Sequence, residues 1–308
     1  MSKFFEALER AETEQVLETP APSPPPTVDP SASAAPAAPS AEVPPTPSVR
    51  FPPPVREARA PTTERAADRS HRVGAHLVSL LDPRSFEAEQ YRVLRHLVET
   101  LRKGANLQVV AVTSPGVGDG KTTTAINLAG SLAQAADARV LLVDMDLRRP
   151  AVAGQLGLSG GKRGLAEALL ADSGLSLEDT VETLAHFNLS VLPASGPAVA
   201  PYELLKSPRL EALLDEARRR YEYVVLDTPP FVPVPDGRII AKYVDGFLIV
   251  VKAHRTPRGA LAQTLDLVDP AKVTGLVFNG DNTRRSGYYD AYVASPRGAR
   301  WRLPWSKP

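Results

Sequence analysis

The 308-residue chain has no cysteine. That absence removes disulfides, thiolate zinc centres, cysteine-held iron–sulfur clusters and catalytic thiols on chemical grounds. An excess of either charge is also missing: 36 Lys and Arg stand against 35 Asp and Glu, so no nucleic-acid partner is expected. Long apolar runs are lacking too. Stretches such as VVAV and FLIVV fall far short of the roughly 18 residues that a spanning helix requires, and MSKFFEALER has no apolar signal region. The expected location is a reducing cytoplasm, with any work at a membrane depending on recruitment by a partner.

What is present is unevenly distributed. Residues 1–19 are expected to form a short amphipathic helix, with Phe4, Phe5, Leu8 and Ala11 on one side and Glu6, Glu9, Glu12 and Glu14 around the rest. Its acidic face suits a protein partner better than anionic lipid, although a frayed terminal helix fits the pattern equally. Residues 20–78 read as a disordered Pro/Ala/Ser-rich linker that supplies reach without structure. A folded domain is expected over 79–283, and a flexible basic tail over 284–308. That tail carries Tyr288, Tyr289 and Tyr292, then Arg297, Arg300, Arg302 and Lys307 beside Trp301 and Trp305.

Within the folded part, strand-like and helical runs alternate. SFEAEQYRVLRHLVETLRK, with Phe86, Tyr91, Val93, Leu94 and Leu97 among charges, reads as a helix leading into the strand LQVVAVT. RVLLVD, FNLSVLPA, YEYVVLD, GFLIVV and VTGLVFN follow as strands, separated by helices such as SPRLEALLDEARRR and ALAQTLDLV. Val, Ile and Leu runs without polar alternation imply strands covered on both faces. The expected class is α/β, a doubly wound and mainly parallel sheet flanked by helices. Ligands on such sheets bind at the carboxyl ends of the strands.

The first strand ends in TSPGVGDGKTTTAINLAGSLA. Gly116, Val117, Gly118, Asp119 and Gly120 form a tight loop, and Lys121, Thr122 and Thr123 open the next helix. Backbone N–H groups and a helix N-terminus suit a β-phosphate, a lysine suits β/γ oxygens, and a hydroxyl suits Mg²⁺. The loop departs from the strict G-x-x-x-x-G-K-[ST] pattern because Pro115 occupies the place of the first glycine. The second strand ends in VLLVDMDLRRP, where Asp144 and Asp146 share one side if the strand continues that far. Asp227 terminates YEYVVLDTPP. A lone Asp at a strand end is usually a cap or turn former, but three beside a Gly-Lys-Thr loop point to a Mg²⁺-nucleotide site on a P-loop NTPase fold.

GDGKTTT, VLLVDMDLRRP and VVLDTPP resemble the Walker A, A′ and B motifs of the bacterial tyrosine kinases, the autophosphorylating P-loop proteins of capsule and exopolysaccharide assembly. EQYRVLR resembles that family's E-x-x-R-x-x-R motif at Glu89, Arg92 and Arg95, and the likeness runs from about Ser85 to Tyr292. The resemblance implies ATP and Mg²⁺ as cofactors. It implies Lys121 on the β/γ-phosphates, Thr122, Asp144 and Asp227 at the metal, and Asp144 and Asp146 around the incoming tyrosine, one of them accepting its proton. Arg148 would steady the phosphates or the loop. Asn279, by likeness to related P-loop proteins, would contact the adenine, or else serve as a strand-end turn residue. Glu89, Arg92 and Arg95 would support a homo-oligomer in which Tyr288, Tyr289 and Tyr292 are phosphorylated between subunits. Further implied partners are a separate membrane-spanning chain-length regulator that activates the kinase and a phosphotyrosine phosphatase.

Two alternatives stay open. A non-kinase P-loop ATPase acting as a scaffold or regulator of polysaccharide export fits the sparse tyrosine cluster. A partitioning-type ATPase switch is disfavoured, because the extra lysine such proteins carry five positions before the invariant one is Gly116 here.

Overall fold

The computed structural model describes residues 73–158, 163–170 and 172–281. The expected helix at 1–19, most of the linker, and Tyr288, Tyr289 and Tyr292 lie outside these residues. The described chain runs α1 (Val78–Leu81), α2 (Phe86–Ala105), β1 (Val109–Thr113), α3 (Lys121–Ala133), β2 (Val140–Asp144), α4 (Val152–Gln155), α5 (Leu165–Ala168) and α6 (Leu177–Thr180). It continues through β3 (Glu182–Leu184), β4 (Leu189–Leu192), α7 (Pro201–Leu205), α8 (Pro208–Arg220), β5 (Tyr223–Asp227), α9 (Asp236–Ile240), β6 (Gly246–Lys252), α10 (Arg258–Leu267) and β7 (Val273–Asn279).

The strands form one sheet in the order β3-β4-β2-β5-β1-β6-β7. Every neighbouring pair is parallel except β3 with β4. The doubly wound α/β expectation is therefore correct, and the unbroken Val and Leu runs explain it. Val109, Ala111, Val224, Leu226, Phe247 and Ile249 point to one face, into a core closed by Leu210, Leu213 and Leu214 of α8. Val110, Val112, Val225, Leu248 and Val250 point to the other, against Ile126, Leu128 and Leu132 of α3. A strand covered on both faces needs apolar side chains at every position, each contributing roughly 1.5–3 kcal/mol of burial.

The topology decides where the motifs meet. β5 lies between β1 and β2, with Val112 and Asp144 both in register with Asp227. All three strands are parallel, so the loop after β1, the DMD turn after β2 and the carboxylate ending β5 emerge along one edge.

The linker boundary needs correction, whereas the helix expected over SFEAEQYRVLRHLVETLRK is present. Packed structure begins inside the stretch assigned to the linker: Leu77 is fully buried, Val73 is nearly so, and Gly74 N–H donates to Gln155 O at 2.8 Å. Leu77 seals the core beside α3, so it belongs to the folded domain. On α2, capped by Ser85 accepting from Ala88 N–H at 3.2 Å, the apolar residues divide into two stripes. Ala88, Leu94, Val98 and Leu101 pack inward, whereas Phe86, Val93 and Leu97 are exposed. Among the described residues no helix is long and apolar enough to cross a membrane.

Candidate active site

The loop joining β1 to α3 is shaped by its own hydrogen bonds. Ser114 hydroxyl donates to Gly116 O at 2.6 Å, and Gly116 N–H donates to Asp119 Oδ2 at 2.9 Å. Gly118 and Gly120 sit at φ +86° and +101°, conformations open to glycine at little cost. Gly120 is doubly constrained, since a Cβ there would lie 1.9 Å from Asn279 Nδ2. Lys121, Thr122 and Thr123 then form the first turn of α3, with Thr122 nearly buried, while Val117 stands exposed at the crest. Pro115 in place of a glycine does not prevent the curled loop.

Three aspartates converge beside it. Lys121 Nζ lies 2.8 Å from Asp146 Oδ2, 3.7 Å from Asp227 Oδ1 and 3.4 Å from Thr122 Oγ1. The strand does not continue to Asp146: β2 ends at Asp144, and Asp146 sits in the following turn, accepting Arg149 N–H at 3.0 Å. Asp144 faces the backbone instead. Its Oδ1 accepts from Asp146 N–H at 3.2 Å, and its Oδ2 accepts from Ala151 and Val152 N–H at 3.0 and 3.1 Å. Asp227 is fully buried, and neither oxygen accepts a well-formed hydrogen bond.

Burial and charge set the electrostatics. Burial, with Asp227's negative charge beside it, pushes the Asp144 carboxyl up to about 7. Burial pushes Asp227 up to about 6, against the pull of the Lys121 ammonium. Burial alone would depress Lys121, yet the charges of Asp227 and Asp146 outweigh it and raise its pKa. One lysine thus serves two carboxylates, leaving the cluster short of positive charge.

The remaining expected residues fall into different places. Arg148 is engaged in a two-point pair with buried Asp236, Nε to Oδ2 at 2.7 Å and Nη2 to Oδ1 at 2.9 Å. Asn279 reaches the loop, its Nδ2 donating to Asp119 O at 2.9 Å. Glu89 pairs with Arg92, and Arg95 reaches Glu99 Oε1 at 2.6 Å and Ser131 O at 2.9 Å, so all three find partners within the chain. Asp236 and Thr256 escape sequence reading. Asp236 follows a proline-rich turn that reads only as a helix start, and Thr256 belongs to no motif.

The residues fit a divalent cation. Asp227 offers two oxygens without hydrogen-bond donors, next to the Thr122 hydroxyl, in a cluster short of positive charge. Among the described residues no three His, Cys, Asp or Glu side chains form a ready-made cage. Magnesium commonly takes few protein ligands and completes its shell with phosphate oxygens and water, so this donor set suits a metal that arrives with a nucleotide.

A curled loop opening a helix, with lysine, hydroxyl and strand-end carboxylates at its mouth, defines a P-loop nucleotide-binding protein. In agreement, the AAA domain family matches residues 107–273, over half of the chain. The tyrosine-protein kinase YwqD of Bacillus subtilis (strain 168) is 32% identical over 227 residues, which cover 73% of this chain and 94% of that protein. The succinoglycan biosynthesis transport protein ExoP of Rhizobium meliloti (strain 1021) is 32% identical over 216 residues, covering 68% of this chain but only 27% of ExoP. Among solved structures, the VpsO kinase domain superposes with a TM-score of 0.54 at 36% identity, over 63% of this chain and 98% of that domain. The chain belongs to the bacterial tyrosine-protein kinases.

Proposed function

We propose that this protein is an ATP- and Mg²⁺-dependent tyrosine autokinase acting in exopolysaccharide or capsule synthesis and export. The observation that carries the catalytic reading is the Lys121 ammonium bound between Asp146 and Asp227 at the mouth of the loop. When nucleotide occupies the loop, Lys121 turns to the β/γ-phosphate oxygens and releases Asp146. Asp146 then accepts the phenolic proton of a tyrosine as its oxygen bonds to the γ-phosphorus, and the bond from that phosphorus to ADP breaks. A free phenol has a pKa near 10, so a nearby carboxylate in a water-poor pocket is a reasonable acceptor. Asp144 shapes the turn that presents Asp146, because its own oxygens are taken by backbone N–H groups. Thr122 and Asp227 would hold magnesium, which would supply charge neutralisation for phosphoryl transfer.

In this reading Tyr288, Tyr289 and Tyr292 of one subunit are the acceptors for another. ATP and Mg²⁺ are its cofactors, and Asn279 and Arg148 complete the nucleotide site. The export setting is supported by the likeness to ExoP, and an activating membrane-spanning chain-length regulator, a phosphatase and recruitment to the inner membrane face extend it. Incubating purified protein with Mg-ATP, with and without a candidate activator tail, and blotting for phosphotyrosine tests it. Parent protein should give signal, whereas Lys121→Ala and the Tyr288/Tyr289/Tyr292→Phe triple variant should give none. ATP hydrolysis without phosphotyrosine under every condition would identify an ATPase scaffold instead.

A further inference from the structure

Thr256 lies outside every motif, yet it is wired to the phosphate loop. The hydroxyl accepts from Lys252 N–H at 2.9 Å and donates to Asp119 Oδ1 at 2.7 Å, while Thr256 N–H returns to Lys252 O at 3.0 Å. Because the Lys252 amide can only donate, the hydroxyl's own proton is left for Asp119. The turn that brings Thr256 back beneath the end of β6 passes through His254 at φ 58°, an uncommon conformation for a residue with a side chain. Asp119 is almost completely buried, and its other oxygen holds Gly116 N–H at 2.9 Å. Its carbonyl accepts Asn279 Nδ2 at 2.9 Å, and Asn279 O in turn accepts Ala253 N–H at 2.9 Å. The loop is therefore tied at both the side chain and the backbone of Asp119 to the ends of β6 and β7.

A carboxylate built into the wall of a polyphosphate cradle works against an anionic ligand. Here both of its oxygens are committed to hydrogen bonds that close the loop on itself and on the neighbouring strand. We propose that Thr256 is a positioning residue for nucleotide: through Asp119 it holds the loop in its curled form, so little ordering remains when the ligand arrives. This rests on the reading of residues 114–122 as the nucleotide cradle.

The test uses the full chain as parent, Thr256→Val, Thr256→Ser and Lys121→Ala. A fluorescent ADP analogue with Mg²⁺ is titrated into each, and nucleotide-free melting and steady-state autophosphorylation are recorded beside it. Losing the hydrogen bond to the charged acceptor, together with the one accepted from Lys252 N–H, should weaken nucleotide binding by about tenfold in Thr256→Val. KM for ATP should rise by a similar factor with kcat near the parent's, nucleotide-free melting should hardly move, and Thr256→Ser should restore binding. Parent-like affinity in Thr256→Val, alongside weak binding in Lys121→Ala, would sink the positioning role and spare the cradle. A loss that Ser does not rescue, or that tracks a drop in melting temperature, would make Thr256 structural and overturn the proposal. Parent-like binding in Lys121→Ala would remove the cradle reading and the proposal with it.

Discussion

Two aspartates stand at opposite edges of the same sheet and meet opposite fates. Asp245, just before β6, accepts N–H groups from Gln108 and Val109 at 2.9 and 2.7 Å and two bonds from Arg218 at 2.9 and 2.7 Å. Burial opposes its charge, but the Arg218 guanidinium and the two backbone donors prevail and hold its carboxyl below the usual range. Asp227, ending β5 at the other edge, is more deeply buried, has no hydrogen-bond donor and shares one lysine with Asp146. A satisfied charge contributes to the fold; an unsatisfied one is tolerated where a ligand completes it. The electrostatically incomplete edge is the one where the proposed phosphoryl transfer is placed.

The largest expected effect separates the two edges by activity. Asp227→Asn should lower phosphotyrosine formation by about 10³-fold, since it removes a carboxylate positioned where charge develops in phosphoryl transfer. Nucleotide-free melting should stay level or rise, because a buried charge that shares its single cation with Asp146 is gone while Lys121 keeps Asp146. A melting drop with retained kinase activity would reverse the assignment of the two edges.

A smaller effect is expected at the far edge. Asp245→Ala leaves two backbone N–H groups without their acceptor and the Arg218 guanidinium with only Tyr243 O, which should cost about 2 kcal/mol in urea denaturation. Activity per folded molecule should be unchanged. Loss of activity at full foldedness would mean that the far edge communicates with the site.

The smallest effect is in pH dependence, where the edges should respond with opposite sign. Asp144 titrates near 7 in the fold against about 4 in an unfolded chain, so the fold favours its protonated form. Its contribution is present at low pH and lost as pH rises through about 7. Asp245 is shifted the other way, so its contribution is present above about 4 and lost as pH falls through its lowered folded value. Nucleotide-free urea midpoints from about pH 2 to 8 should show both slopes, that of Asp245 below about 4 and that of Asp144 between about 4 and 7. Asp144→Asn should reduce the slope above about pH 4, where raised Asp227 supplies the remainder, and leave the acid side unchanged; Asp245→Asn should flatten the acid side alone.

Legibility in the sequence followed the range of each interaction. Runs such as VVAV and FLIVV announced buried parallel strands because periodicity is a local property. The glycine loop, Lys121, Asp144, Asp146 and Asp227 were also legible, since strand ends of such sheets are where ligands bind. Less was legible where a residue's meaning depends on its neighbours in space. Phe86, Val93 and Leu97 count as apolar in sequence, yet α2 turns Ala88 and Val98 inward. Leu77 follows a long Pro/Ala/Ser-rich stretch and still closes the core beside α3. The two-point pair of Arg148 with Asp236, 88 residues away, has no signal along the chain.

By itself the sequence determined the fold class, the phosphate loop, the strand-end carboxylates and the family, because each is written in contiguous residues whose chemistry depends on spacing along the chain. Only the tertiary structure decided which carboxylate faces Lys121, which is held by backbone amides and which is left bare. It alone joined Thr256 to Asp119, 137 residues apart, and set Asn279 against Gly120. Those outcomes turn on sheet order: with β5 between β1 and β2, and β6 and β7 beside them, residues distant in the chain come within hydrogen-bond reach, where burial and partner supply fix each charge.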